Sequence, residues 1–304
     1  MLIPTVKPPL AGNGRLSRSN NTKLGVLLML CGMFIFSAVD TQAKFLTGTM
    51  HPVQIIWFRQ LGLLSGVIIL LGIHGTSLLH TSRARLQIGR GALAIGSALL
   101  FVFAIQHVPL ADAVAATFVA PFFLTIMGAA VLGEKIGIYR WSAVVVGFIG
   151  ALIIIRPGLG VIHPAVMLVV IAAAIYSARQ VIGRLLADTD KTVTTIAYTA
   201  ITGSVLISIP LPFVWQWPES SDQLLILSSM AVMAGIGEVL VIKALEVTEA
   251  VVIAPIHYTL IIWGTLYGYL IFNELPDRWT ITGTIIIISA GLFTVWRGEK
   301  KRGT

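Results

Sequence analysis

The chain has 304 residues, 56% of them hydrophobic and only 11% charged, with a formal net charge of +8. Soluble domains carry roughly 25% charged residues, so a mean hydropathy of +0.90 excludes a water-soluble globular surface and calls for a lipid bilayer around the protein. The positive charge does not indicate nucleic acid, because the basic residues stand between apolar runs and not along one face, the distribution that orients membrane proteins.

Residues 1–22 are polar, and Lys7, Arg15, Arg18 and Lys23 precede the first apolar run. A secretory signal has an apolar core of roughly 7–15 residues before a small-residue cleavage site. The run from Leu24 to Leu46 is longer, so it reads as a retained helix after a cytoplasmic tail. The single cysteine, Cys31, lies in this run and is expected to be a small buried hydrophobe. Further runs follow at 53–73, 91–107, 110–133, 139–156, 165–186, 194–214, 224–245, 250–272 and 279–296. A helix needs roughly 20 apolar residues to cross a bilayer, and the third and fifth runs are short. Val144-Val145-Val146 and the isoleucines 285–288 do not alternate with polar residues, which excludes β-barrel strands. Pro121 interrupts the fourth run, Pro210 and Pro212 the seventh, and Pro255 opens the ninth. Gly264 and Gly268 give the ninth a small face for close packing.

The predicted fold is an all-α membrane protein of ten transmembrane helices. With a cytoplasmic N-terminus, basic residues such as Arg83, Arg85, Arg90, Lys135, Arg140, Lys191, Lys300 and Lys301 fall inside, and only Arg156 and Arg278 outside. That bias places both termini in the cytoplasm and the protein in a bacterial-type inner membrane, as a monomer or homodimer.

The chain repeats itself at an offset near 140. Phe36-Ser37-Ala38 matches Tyr176-Ser177-Ala178, Lys44 matches Arg184, Ala104 matches Ala244, Gly128 matches Gly268 and Glu134 matches Glu274. After a two-residue slip Trp141 aligns with Trp279. Several matches at one spacing indicate duplication. The expected organisation is a tail over 1–22, one repeat over 23–157, a second over 158–297 and a tail over 298–304. Five helices per repeat is an odd number, so the second repeat enters the membrane inverted, an architecture of secondary transporters.

Residues of the two repeats also carry a family resemblance. Leu110 to Gly158 contains Pro121, Leu132-Gly133-Glu134, Trp141, Gly147-Phe148-Ile149-Gly150 and Arg156-Pro157-Gly158. The second half has Lys243-Ala244-Leu245, Tyr258, Phe272-Asn273-Glu274 and Asp277-Arg278-Trp279. These resemble the two EamA-type repeats of the drug/metabolite transporter superfamily, from Leu24 to Trp296. The resemblance implies a ten-helix fold with a central cavity lined mainly by helices 1, 3, 4, 6, 8 and 9. It is similar to importers of riboflavin or S-adenosylmethionine, and related sequences export amino acids or drugs.

Ionisable residues inside spans cost roughly 2.5–3.5 kcal/mol each on insertion scales, and Asp40, Arg59, Asp112, Arg179, Glu238 and Lys243 are of this kind. Asp40 and Arg59 lie at equal depth from one membrane face, and Arg179 and Glu238 at equal depth from the other. The expectation is an outer pair, Asp40 with Arg59, and an inner pair, Arg179 with Glu238, serving either as static packing pairs or as gates. Lys44 and Arg184 lie near helix ends and are expected to snorkel to headgroups. Asp112 begins the fourth helix, where the dipole favours a negative charge.

Phe36, Phe101, Phe118, Phe122, Tyr176, Gln180, His257 and Tyr258 fall in the helices the resemblance assigns to the cavity; with Asp40 and Glu238 they are the candidate substrate-binding residues. Ring faces with few donors suit a planar, largely neutral ligand, and riboflavin is the expected substrate. The near-cancelling charges within the spans disfavour a strongly charged one. No phosphate-binding loop is present, and the histidines at 51, 74, 80, 107, 163 and 257 have no metal-ligand spacing. No cofactor, metal or catalytic residue is therefore expected. A membrane-embedded enzyme on lipid-linked substrates would need an acid cluster or nucleophile–base pair, and a sensor or scaffold would need a soluble domain.

Overall fold

The computed structural model describes residues 21–133, 137–155, 163–187, 189–248 and 254–300. Glu134, Lys135, Arg156-Pro157-Gly158 and the tails through residue 20 and from residue 301 lie outside the described residues. The described secondary structure is entirely helical: α1 (Thr22–Leu46), α2 (Pro52–His74), α3 (Ala84–Ile105), α4 (Leu110–Thr117), α5 (Ala120–Leu132), α6 (Ile138–Ile155), α7 (Val166–Ala187), α8 (Thr192–Ser208), the single turn α9 (Leu211–Val214), α10 (Ser221–Val247), α11 (Thr259–Phe272) and α12 (Arg278–Lys300). Short 3-10 turns occupy Thr76–Leu79 and Ala254–Tyr258.

Local chemistry sets the boundaries. Asn21 caps α1 by accepting from Leu24 N at 3.2 Å, and Pro52 starts α2 at a position where a missing N–H is harmless. The run from Leu110 to Leu132 breaks between α4 and α5, where Pro121 lacks a donor. The third helix starts at Ala84 and not near residue 91. A hydropathy window stops at Arg90, but backbone hydrogen bonding does not, so the helix runs on through its basic first turns.

Among the described residues, six segments are long and apolar enough to cross a membrane, and four shorter apolar helices accompany them. Large apolar side chains such as Ile69, Val145, Leu225, Leu270 and Ile285 are exposed, which only lipid tolerates on this scale. Cys31 is exposed too; it sits on the lipid-facing side of α1 and not in the core expected from its neighbours. Inside, small residues let backbones approach, with Ala104, Ala113, Ala115, Ala116 and Ala200 buried. Where α6 crosses α12, a Cβ on Gly150 would stand 2.8 Å from the Gly283 carbonyl oxygen, and one on Gly283 2.5 Å from that of Gly150, so only glycine fits on either side.

The packing repeats like the sequence. α1 lies on α10 and α3 on α7; α2 lies on α10 and α3 on α8; α1 lies on α11 and α5 on α7. Exchanging α1 with α7, α2 with α8, α3 with α10 and α5 with α11 turns each of these contacts into another. Two further close pairs, α2 with α8 and α6 with α12, join equivalent positions of the two halves. The connections gather alternately at two ends. At the α1–α2 end, Gln223 Nε2 donates to Thr49 Oγ1 at 2.9 Å, Gln106 Nε2 to Thr47 O at 3.2 Å, and the rings of His107 and His163 stack at 4.8 Å. At the α2–α3 end, Thr81 meets Asp190 and Thr248 packs on Gly25.

Candidate functional site

The α1–α2 end is tied by charge. Arg59 Nη1 on α2 donates to Asp40 Oδ1 on α1 at 3.0 Å, with side chains 22% and 16% exposed. One turn further along α1, Lys44 does not snorkel outward. Its Nζ donates to Glu274 Oε2 at 2.5 Å and to Val108 O at 3.1 Å, and lies 5.0 Å from the centre of the Phe272 ring. The backbone delivers Glu274 to this place. α11 ends at Asn273 in the left-handed region, φ 55°, where asparagine is tolerated, and Glu274 N then bonds back to Gly268 O at 3.0 Å. Leu110 N also donates to Glu274 Oε2, at 3.4 Å, so one carboxylate joins α1, the start of α4 and the end of α11. Asp112 lies in the first turn of α4.

A second group of polar and aromatic residues lies on α1, α3, α7 and α10. Phe36 packs against α10 at Gly237, where an added Cβ would come within 3.4 Å of its ring, and Glu238 is the next residue. On α7, Gln180 Nε2 donates to Tyr176 Oη at 3.1 Å, and the Arg179 guanidinium lies 5.2 Å from the Tyr176 ring centre. On α3, Arg90 Nη1 donates to Thr199 Oγ1 of α8 at 2.5 Å, and its guanidinium is within electrostatic reach of Arg179, Glu238 and Tyr176. Among the described residues no ion pair joins Arg179 to Glu238, contrary to the expectation from depth. α7 packs on α3 and α5 while α10 packs on α1 and α2, so equal depth puts the two residues on different walls.

The remaining candidates lie elsewhere. Phe118, Phe122 and Tyr258 line a cavity of about 200 Å³ shared with α6 and α12. There Phe118 meets Tyr258 edge-on at 5.1 Å, and Phe122 stacks on Phe148 at 4.6 Å. Phe101 packs into the main apolar core, and His257 is exposed on its 3-10 turn. The structure thus sets Phe36 beside α10 next to Glu238 and Tyr176 with Gln180 and Arg179 on α7, with Arg90 in electrostatic reach of both groups, and places Phe118, Phe122 and Tyr258 in a separate cavity.

The α2–α3 end is tied by neutral donors on one carboxylate. Thr81 Oγ1 and Gln87 Nε2 donate to Asp190 Oδ2 at 2.7 and 2.6 Å, and Arg83 Nη1 reaches Leu185 O at 2.9 Å. The Thr81 hydroxyl holds the Asp190 carboxyl below the usual range, against a smaller opposing effect of burial and with help from Gln87. Sequence reasoning missed Arg90, the Lys44–Glu274 bond and this cluster. For Lys44 a signal existed: Lys44 with Arg184 and Glu274 with Glu134 share the repeat offset, so a basic residue and a glutamate recur together in each half.

The EamA-like transporter family model matches residues 23–156 and again 163–296. The S-adenosylmethionine uptake transporter of Rickettsia prowazekii is 26% identical over 91% of this chain and 94% of its own length. The pseudopaline exporter of Pseudomonas aeruginosa is 28% identical over 88% and 94%, and the riboflavin transporter of Vibrio cholerae 28% identical over 74% and 76%. A solved crystal structure aligns with 91% of this chain and 98% of its own at a TM-score of 0.63 and 15% identity, a likeness of fold alone.

Proposed function

Because the chain belongs to the EamA-like transporter family, we propose that it is a secondary transporter that takes up a small organic metabolite across a bacterial inner membrane by alternating access. The substrate carries a planar heteroaromatic ring, as S-adenosylmethionine and riboflavin both do. One observation carries this reading. Phe36 on α1 and Tyr176 on α7 occupy the same repeat position in the two halves, and we read their rings as two sides of a chamber that Gln180 and Glu238 also border. A flat ligand held between them touches both halves at once, so its binding couples to their relative motion.

The ten-span, inverted-repeat topology with units over 23–157 and 158–297 is part of the proposal. It is supported by six long and four shorter apolar helices, by the exchange symmetry of the helix contacts and by connections that alternate between two ends. The same proposal puts the α2–α3 end and both termini in the cytoplasm, a reading supported by the basic residues of that end. The Asp40–Arg59 and Lys44–Glu274 bonds then close the outer mouth and break when it opens. Export, favoured by the pseudopaline relative, is the second reading.

Uptake of radiolabelled S-adenosylmethionine and riboflavin by cells expressing the chain, and efflux from preloaded cells, tests the proposal. The expected result is saturable accumulation of one compound that falls at least about tenfold in Phe36→Ala and Tyr176→Ala, as loss of ring contacts of about 0.5–1.5 kcal/mol each plus buried area implies. Flux of neither compound in either direction refutes the ring-bearing substrate, and efflux alone refutes uptake.

A further inference from the structure

Two guanidinium groups in the chamber are left incompletely answered by the protein. Among the described residues, Arg90 Nε and Arg179 Nε are both buried and have no hydrogen-bond partner. Arg90 bonds to Thr199, whereas Arg179 lies against the Tyr176 ring. A buried donor without an acceptor is costly, more so when charged, and inside a membrane such a residue marks a binding site by default. The charge balance points the same way. Arg90 is within electrostatic reach of one further cation, Arg179, and of one carboxylate, Glu238, so the three together carry one net positive charge and are an anion short of neutral.

We infer that this cluster recognises the α-amino-acid head of the substrate: Arg179 and Arg90 take the carboxylate and Glu238 takes the ammonium. A planar guanidinium matches a carboxylate with two parallel bonds, which supplies the acceptors that both Nε atoms lack. A carboxylate and an ammonium on one carbon need an arginine and a glutamate within reach of each other, as Arg90 and Glu238 are. A zwitterion brings no net charge into the low-dielectric chamber, whereas a phosphate dianion is opposed by Glu238, and a neutral ring compound leaves both guanidiniums unanswered. Phe36 and Tyr176 remain for the ring. The inference rests on the transport reading above and deepens it, because it separates S-adenosylmethionine, which has such a head, from riboflavin, which has none.

Binding to the purified full-length chain, followed by ligand-induced shift of thermal unfolding, tests it without requiring flux. The probes are S-adenosylmethionine, its decarboxylated form, methylthioadenosine, tryptophan, tryptamine and riboflavin. An amino-acid-headed probe is expected to bind about tenfold to a hundredfold more tightly than its partner lacking the carboxylate. Arg179→Gln erases that difference by weakening only the carboxylate-bearing probe; if that variant does not fold, Arg179→Lys, which keeps the charge but loses the paired geometry, is expected to retain part of it. Glu238→Gln weakens tryptophan more than indole propionate, a further probe that keeps the ring and carboxylate and lacks the ammonium. Equal binding of headed and headless probes, a difference untouched at Arg179, or binding by no headed probe overturns the inference. Proteoliposome flux separates the two claims. Transport of riboflavin with head-independent affinity sinks the amino-acid head and leaves transport standing, whereas head-dependent binding without flux of any probe does the reverse.

Discussion

At the α1–α2 end the bundle is joined by charge to charge, Arg59 with Asp40 and Lys44 with Glu274, on side chains that lie within or at the end of apolar helices. At the α2–α3 end the cross-links are hydroxyl and amide donors on Asp190, an arginine on a backbone carbonyl, and Tyr198 Oη on Leu79 O at 3.2 Å. The contrast follows from solvent. Ion pairs in a low-dielectric setting are strong only while both partners stay together, because separation strands a charge, so that end is suited to an all-or-none closure. A water-accessible carboxylate trades its partners for solvent at little cost, so the other end loosens gradually.

The deepest pair offers the sharpest way to break that contrast. Arg59→Leu leaves the Asp40 carboxylate, 16% exposed, without its cation, and is expected to cost on the order of 3 kcal/mol of stability in detergent. The double change Arg59→Leu with Asp40→Leu should recover most of that loss, because a buried pair replaced by apolar groups is often near neutral. If the single and double variants unfold alike, stranded charge is not what holds this end. Lys44→Met is expected to cost less, about 1–2 kcal/mol, because Glu274 is 33% exposed and water takes over part of the lost bond. Its clearer effect is on access: a cysteine introduced at Thr47, in a chain with Cys31→Ser, should react faster with a thiol reagent once Lys44 is gone. Unchanged labelling would make the Lys44–Glu274 bond a packing feature alone.

Acid separates the two ends further. Asp190 has a folded-state value lowered chiefly by Thr81, so its ionised form stabilises the α2–α3 end fully above the ordinary aspartate value of about 4. That contribution disappears as pH falls through the lowered folded value. Proteolysis or hydrogen exchange in residues 189–191 should therefore rise as pH drops from about 4, and Asp190→Asn should remove the pH dependence. A profile unchanged in Asp190→Asn places the acid response elsewhere.

How much of this could be read in advance depends on what each residue's position is controlled by. Helix existence and the two-repeat organisation were legible because lipid imposes long apolar runs, and the breaks because Pro121, Pro210 and Pro255 remove donors. Asp40 and Arg59 lie on helices joined by a five-residue connection, 47–51, so depth alone nearly fixes their meeting. Arg179 and Glu238 lie on helices that no short connection links, and depth says nothing about which wall each occupies. Arg90 was read as a loop charge because hydropathy ends a span at the first cation, and Lys44 as a snorkelling residue because nothing local reveals that Glu274, 230 residues away in sequence, is carried back over it.

The smallest expected effect compares the halves at one repeated residue. Ser177 Oγ is within 2.8 Å of both Ala173 O and Ala120 O, and Ala120 is where α5 begins after the break in its run. It therefore ties α7 to that break. Ser37, its repeat equivalent on α1, is 2% exposed, and its Oγ has no partner among the described residues, although α11 passes nearby at Gly264. Ser177→Ala loses a bond and strands a carbonyl, at about 1 kcal/mol. Ser37→Ala removes an unsatisfied buried hydroxyl and is expected to be neutral or slightly stabilising. Midpoints of thermal unfolding measured side by side decide it. Equal costs at the two serines would mean that α1 is bonded to the α11 segment as α7 is to the α5 break, and that the halves differ less than these side chains indicate.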